Sequence, residues 1–330
     1  MSSPDPPTSP MIEKPFLQAA VASRQQSIVD FFSRALSSFQ KSGSPFQVVC
    51  TAVKPSPSHD TLLPAPIPPS RRLQTLIVLD SSFNPPTIAH LRMVTSAIRD
   101  LTAAHTRPAG VPPLQQIRLL LLLAVNNADK APKPAAFDQR LGMMWAFAND
   151  IHEKLALDAG HLNIDVGLTT EPYFHDKSRV IDRSGFYHYS SDTEREYDDQ
   201  VDNQVILAGY DTLVRILNPK YYGGLMRMAL NPFFERAKLR VTLRTDDEWG
   251  GKDDQLAFVN DLRSEEGLVK IGGSKQWADR IEMVEGRQDG EEVVSSTYAR
   301  EAAKNGDSDK LGRMVSPRVR EWIEGQKLYV

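Results

Sequence analysis

Apolar positions along the chain fall into two periods, and their alternation predicts the architecture. Short runs rich in Leu, Ile and Val read as strands: Phe46–Cys50, Leu76–Leu79, Ile117–Leu123, Leu162–Val166, Gln204–Ala208, Leu239–Leu243 and Ile281–Val284. Several of them lack the polar alternation of a half-wetted sheet, so both faces are expected to be covered, as in a parallel sheet. Stretches of helical period lie among them. Ile88, Leu91, Val94, Ile98 and Leu101 form one apolar stripe. A second, from Glu13 to Lys41, offers Phe16, Ala19, Ala20, Ile28, Phe31, Phe32, Ala35, Leu36 and Phe39. Strand, turn and helix in succession predict an α/β fold with a doubly wound parallel sheet and helices on both faces.

Punctuation in the sequence suggests how this unit is framed. Residues 1–12 are rich in Pro and Ser and are expected to be disordered. Residues 13–72 read as an N-terminal appendage, a helix and a strand followed by a proline-rich linker from Pro55 to Arg72, and residues 73–330 as the main domain. Within that domain SSDTEREYDDQVD, in the stretch from about 184 to 202, is acidic and aperiodic, as a solvated insertion would be. The segment DDEWGGKDDQ reads as a polar turn. Gly272-Gly273-Ser274-Lys275 lacks the Gly-Lys-Ser/Thr ending of a phosphate loop and also reads as a turn.

Composition removes several function classes. The formal net charge is −3, which gives no bulk electrostatic case for nucleic acid or an anionic membrane. A single cysteine, Cys50, can neither close an intramolecular disulfide nor build a cysteine zinc site, and it suits a reducing compartment. No run approaches the ~20 consecutive apolar residues of a membrane span. Arg24 and Arg34 among serines hint at a mitochondrial presequence, but Glu13 and Asp30 interrupt it, so a cytoplasmic or nuclear location is expected. His105, His152, His161, His175 and His188 show no metal-ligand spacing, and no protein-bound metal is expected.

Candidate chemistry sits where strands end. After Leu76–Leu79 the turn Asp80-Ser81-Ser82-Phe83-Asn84-Pro85-Pro86 leads to Thr87-x-x-His90 in the first turn of a helix, where N–H groups and the dipole attract phosphate. After Ile117–Leu123 comes Ala124-Val125-Asn126-Asn127-Ala128-Asp129-Lys130, which sets Lys130 where a cation meets phosphate. Gly209 and Asp211 follow Gln204–Ala208; a glycine there permits close backbone approach, and the carboxylate is either a capping group or a partner for ribose hydroxyls or metal-bound water. Near the end, Val294-Ser295-Ser296-Thr297-Tyr298-Ala299-Arg300 opens another helix and places Ser296 and Arg300 on one face, ready to converge on an anion.

The stretch SFNPPTxxHLRM resembles the first signature of the nucleotidylyltransferase superfamily, and more narrowly that of the eukaryotic nicotinamide-mononucleotide adenylyltransferases. Val294–Arg300 is similar to the second signature, Ile/Val-Ser-Ser-Thr-x-x-Arg, and the resemblance runs from about Thr75 to the end. Three features extend it: the asparagine loop ending in Lys130 before Phe137–Met144 with Arg140, the Gly209/Asp211 pair, and the closing stretch from Val315 to Tyr329. Two features depart from it. Ser81 stands where that family has glycine, and the loop Gly167–Phe174 lacks the family's stacking tryptophan, leaving Tyr173 or Phe174 as aromatic faces.

The resemblance implies a Rossmann-like sheet of the nucleotidylyltransferase type. It also implies transfer of AMP from ATP, with Mg²⁺ carried on its phosphates, to nicotinamide mononucleotide or its acid form, giving NAD and pyrophosphate. It implies catalytic roles for His90, Arg300 and Lys130. Substrate or ATP binding would involve Ser81, Ser82, Phe83, Thr87, Asn127, Gly209, Asp211, Ser295, Ser296 and Thr297. Two alternatives stay open at this point: a nucleotidylyltransferase with another phosphorylated acceptor, and a non-catalytic nucleotide-binding protein of the same fold. Oligomeric state is not readable from the sequence.

Overall fold

The computed structural model describes residues 13–53, 65–104, 116–126, 135–155, 162–188, 204–244, 249–264, 266–286 and 291–330, with side chains from residue 23 onward. The tail 1–12, part of the linker, the loop carrying Asn127 and Lys130, most of the acidic insertion and residues 245–248 lie outside the described residues. The chain opens with helix α1 (Glu13–Ser42) and strand β1 (Phe46–Ala52), followed by β2 (Thr75–Asp80), α2 (Ile88–Ala104), β3 (Ile117–Ala124), α3 (Phe137–Lys154) and β4 (Asn163–Thr169). Then come α4 (Phe174–Arg183), β5 (Gln204–Gly209), α5 (Tyr210–Ile216), α6 (Met226–Arg236), β6 (Ala237–Thr242) and α7 (Lys252–Arg263). The short α8 (Gly267–Lys270), β7 (Ile281–Val284), α9 (Ser296–Lys304), α10 (Ser308–Met314) and α11 (Pro317–Gly325) complete it.

The strands form one sheet in the order β1-β4-β3-β2-β5-β6-β7. Every neighbouring pair is parallel except β1 with β4. Leaving β1 aside, the order is that of a doubly wound sheet, and it reverses between β2 and β5. At such a reversal the two crossovers leave on opposite faces, so a crevice opens beyond the carboxyl ends of the strands. Both loops of interest, 80–87 and 209–211, sit at that crevice.

Alternate side chains of each strand feed two cores. Ile77, Leu79, Leu119, Leu121 and Leu123 pack on the side of α1, α2, α3, α9 and α11, with Phe32, Phe39, Phe147 and Trp322. Leu76, Val78, Leu120 and Leu122 pack on the side of α4, α5, α6 and α7, with Ile181, Leu213, Phe233 and Trp277. One contact is notably close: a Cβ on Gly142 of α3 would lie 2.1 Å from the Trp322 ring of α11. That ring is fixed by its indole N–H, which donates to Gln139 Oε1 at 3.0 Å.

Three local readings change. Residues 13–72 are set apart by sequence, yet α1 packs on α3 and β1 closes the sheet edge against β4, so both are built into the same α/β unit. The stretch read as a polar turn already contains the start of α7; Asp254 caps it by accepting from the Gly251 amide at 2.9 Å, and Gln255, Val259 and Leu262 turn inward. The last helix stops at Gly325 rather than running to Tyr329, and Lys327 (φ +49°) and Tyr329 (φ +71°) bend the chain back. Among the described residues, no helix is long and apolar enough to cross a membrane.

Arg118, Asp165 and Thr51 form a buried polar node at the β1–β4–β3 side. Arg118 Nε donates to Asp165 Oδ2 at 2.6 Å, Thr51 Oγ1 donates to Asp165 Oδ1 at 2.6 Å, and a guanidinium N–H also reaches the Ile67 carbonyl. Burial pushes the Asp165 carboxyl up, and Arg118 opposes that shift.

Candidate active site at the carboxyl edge of the sheet

His90 lies in the first turn of α2, and the loop before it fixes both ring nitrogens. The Thr87 amide donates to Nδ1 at 3.0 Å, with Thr87 Oγ1 2.9 Å from the same atom. A nitrogen that accepts a backbone N–H carries no proton, so the proton of the neutral ring sits on Nε2. Nε2 is 3.0 Å from Ser81 Oγ, which therefore accepts. Burial lowers the His90 pKa from 6.5 to about 4. In the window between those values the unfolded chain binds the extra proton, so His90's contribution to stability is lost as pH falls from 6.5 toward 4. Phe83, fully buried with φ +44°, tilts its ring against His90 at 5.9 Å. A bulky residue in that backbone region is strained and needs surrounding contacts to hold it.

Helix α9 brings the second stretch onto the same loop. Ser295 caps it by accepting from the Tyr298 amide at 3.2 Å. Ser296 Oγ donates to the Pro85 carbonyl at 2.9 Å, and Arg300 Nη1 donates to the Asn84 carbonyl at 2.7 Å. Arg300 Nη2 also donates to Thr297 Oγ1 at 3.1 Å. Ser296 and Arg300 thus share one face, as their spacing requires, but each spends a donor on a loop carbonyl. A guanidinium has five N–H groups, so two such bonds leave others for an anion.

Asn84 is the loop's junction. Its Oδ1 accepts from the Ala135 amide at 2.8 Å and from the Tyr329 hydroxyl at 2.8 Å. Arg140, in the helix that the resemblance sets after the asparagine loop, is buried: its Nε donates to the Ala135 carbonyl at 2.8 Å, and its guanidinium lies 5.0 Å from the centre of the Phe137 ring. Burial raises the Tyr329 pKa, while Arg140 and Arg300 pull against that rise, which puts both guanidinium groups within electrostatic reach of the phenol.

Across the crevice, Gly209 precedes α5 with extended backbone, and Asp211 lies in the first turn of that helix. Asp211 is not a helix cap. Its Oδ1 pairs with Arg244 Nη1 at 3.1 Å, and Oδ2 lies 3.9 Å from Arg215. A Cβ at Gly209 would come within 2.7 Å of Asp211 Oδ1. Arg244, two residues past the last pairing of β6, is held by its own backbone: Gln255 Oε1 accepts from its amide at 3.0 Å, and Gln255 Nε2 donates to its carbonyl.

A search among curated proteins finds a Schizosaccharomyces pombe protein described as "Putative nicotinamide mononucleotide adenylyltransferase", 33% identical over 246 residues that span 74% of this chain and 82% of that one. The chain belongs to the nicotinamide mononucleotide adenylyltransferase family. No family model matches it. Among solved structures, a Plasmodium falciparum nicotinic acid mononucleotide adenylyltransferase complexed with NaAD shares 13% identity at a TM-score of 0.41, covering 78% of this chain and 97% of that one. Thermotoga maritima TmcAL bound with alpha-thio ATP shares 14% at 0.36, covering 77% and 56%.

The departures from the adenylyltransferase family's pattern occupy definite places. Ser81 faces His90 rather than disturbing the backbone, since the left-handed residue of the loop is Phe83 and not Ser81. Tyr173 stacks on His175 at 5.7 Å and meets Tyr221 at 6.1 Å. Together with Tyr222 and Arg179 these residues line a cavity of about 330 Å³ that includes no residue of either signature stretch. Phe174 instead packs beside Lys177, whose ammonium lies 5.0 Å from its ring centre and pairs with Asp80. Ser82 is exposed on the same loop. Of the other expected site residues, Asn127 and Lys130 lie outside the described residues. Arg244, Tyr329 and Asn84 were missed by sequence reasoning; Asn84 stood inside the motif and was the one with a visible signal.

Proposed function

We propose that the chain transfers the adenylyl group of ATP to nicotinamide mononucleotide or its acid form. An oxygen of the mononucleotide phosphate attacks the α-phosphorus in line, the bond from that phosphorus to the α–β bridging oxygen breaks, and pyrophosphate leaves. Such chemistry needs positioning and charge neutralisation rather than a covalent protein intermediate. The observation that carries the reading is the neutral His90, its Nε2–H fixed by Thr87 at the switch point, with Arg300 braced on the same loop. Membership of the adenylyltransferase family supports it.

In this reading His90 and Thr87 serve the α-phosphate end. Arg300, with Ser295, Ser296, Thr297 and the amino end of α9, serves the β- and γ-phosphates. Lys130 neutralises the triphosphate, with Asn127 beside it in sequence. Ser82 and Phe83 offer backbone groups to the acceptor, while Gly209 and Asp211 take a ribose. Asp80 and Asp211 are each ion-paired with a cation, Lys177 and Arg244, so neither is poised as a metal ligand. In this reading Mg²⁺ enters as part of the substrate MgATP.

The test is product formation by purified protein with MgATP and either mononucleotide. Formation of NAD or its acid analogue is expected, with His90→Ala lowering kcat about 10²–10³-fold, as removal of a donor to a developing charge does. Absence of product with both acceptors, although ATP binds, would overturn the reading. A second reading, the same transfer to a different phosphorylated acceptor, is favoured by one observation: Tyr173 is committed to its aromatic cluster. It would then be tested with other mononucleotides and phosphate esters.

A further inference from the structure

The proton inventory around His90 does not close on the ring itself. Thr87 N–H donates to Nδ1, so Nε2 carries the ring's proton and Nε2–H donates a hydrogen bond to Ser81 Oγ at 3.0 Å. A hydroxyl that accepts still has its own proton to donate. Ser81 Oγ makes no other hydrogen bond among the described residues, and its amide is spent on the Leu122 carbonyl at 3.3 Å. Ser81 is half-buried at the carboxyl end of β2, with the amino end of α2 on one side of its loop and Arg300 bonded to the loop's Asn84 carbonyl. In this structure the imidazole therefore meets Ser81 first, and the donor presented beyond it is the Ser81 O–H.

We propose that Ser81 is a catalytic residue acting as one hydrogen-bonded unit with His90, its hydroxyl donating to a phosphoryl oxygen of the bound nucleotide while accepting from Nε2–H. The inference rests on the reading that this loop binds the phosphates of ATP. Donors linked in a chain polarise one another, so a hydroxyl that accepts from an imidazole donates more strongly than one that does not. No bond is made or broken at Ser81, and its proton stays on Oγ throughout. The residue stabilises charge on the phosphoryl group and transfers nothing.

The experiment is a double-mutant cycle on adenylyl transfer, with melting temperature followed for every variant. Ser81→Ala should lower kcat/KM about tenfold, the loss expected for one hydrogen bond to a charged group, and Ser81→Thr should restore most of it by returning the hydroxyl. Ser81→Gly should behave as Ser81→Ala, because the backbone there does not sit in the glycine region. In the His90→Ala background Ser81→Ala should cost less than about twofold, since residues acting as a unit are not additive. Wild-type turnover with Ser81→Ala at full rate, or a loss that persists undiminished beside His90→Ala, would overturn the proposal alone. Wild-type protein that forms no product would overturn the underlying reading and this inference with it.

Discussion

The two sides of the crevice are built on different principles. On the β2 side, the loop 80–87 is held by hydrogen bonds from neutral or backbone groups: Thr87 to His90, Ser296 to Pro85, and Tyr329 and Ala135 to Asn84. Arg300 adds a charged donor to the Asn84 carbonyl, and where the loop leaves β2 Lys177 pairs with Asp80 in a nearly buried ion pair. On the β5 side the principal contact is an ion pair, Asp211 with Arg244, neither of them buried. Hydrogen bonds of fixed direction hold a reacting group within a narrow range of geometry, whereas a partly exposed ion pair is screened and tolerant of small displacements. In the proposed reaction the bond-making step would fall to the β2 side and the binding of the outlying sugar to the β5 side.

The sharpest way to break that division is at Arg300. Replacing it with Ala removes both the brace on Asn84 and a cation for phosphate, and kcat/KM for ATP should fall about 10²-fold, read by steady-state kinetics. An equal loss at Asp211 would erase the distinction. Asp211→Asn keeps the shape but not the pair, and it should raise KM about three- to tenfold while kcat stays within about twofold, the pattern of uniform binding lost. The smallest effect belongs to Tyr329→Phe. It leaves Asn84 Oδ1 with Ala135 alone, and stability to denaturant should drop by about 1 kcal/mol with a small fall in kcat.

What the sequence discloses follows from how local each signal is. The strands were legible because buried parallel strands are written as continuous apolar runs, and Ile117–Leu123 is buried along its whole length. Helices α4 and α6 were not, because α4 is a short polar helix with few inward positions and α6 contains Pro232. His90, Ser296 and Arg300 were legible as motif positions, and the structure adds that the two motifs touch through Asn84 and Pro85. The pairs Asn84–Tyr329 and Asp211–Arg244 bridge 245 and 33 residues, so no local window contains both partners. Arg140 was legible only as a position in the helix after the asparagine loop; that the Ala135 carbonyl and the Phe137 ring receive it was not, because a helical arginine is usually exposed.

The node around Arg118 also bears on the lifetime of the fold. Its contacts link residues 47, 51, 67 and 114 positions apart, so it draws together β1, β3, β4 and Ile67, which follows β1 in the chain. Closing loops of that length costs entropy before any contact returns it, so the node is expected to complete only as β1 joins the sheet. Interactions absent from the folding transition state do not speed assembly; they slow escape from the finished structure. The cluster is thus a latch: lifting β1 off β4 breaks the hydrogen bonds that Thr51 makes with Asp165 and Arg118 and uncovers a buried ion pair.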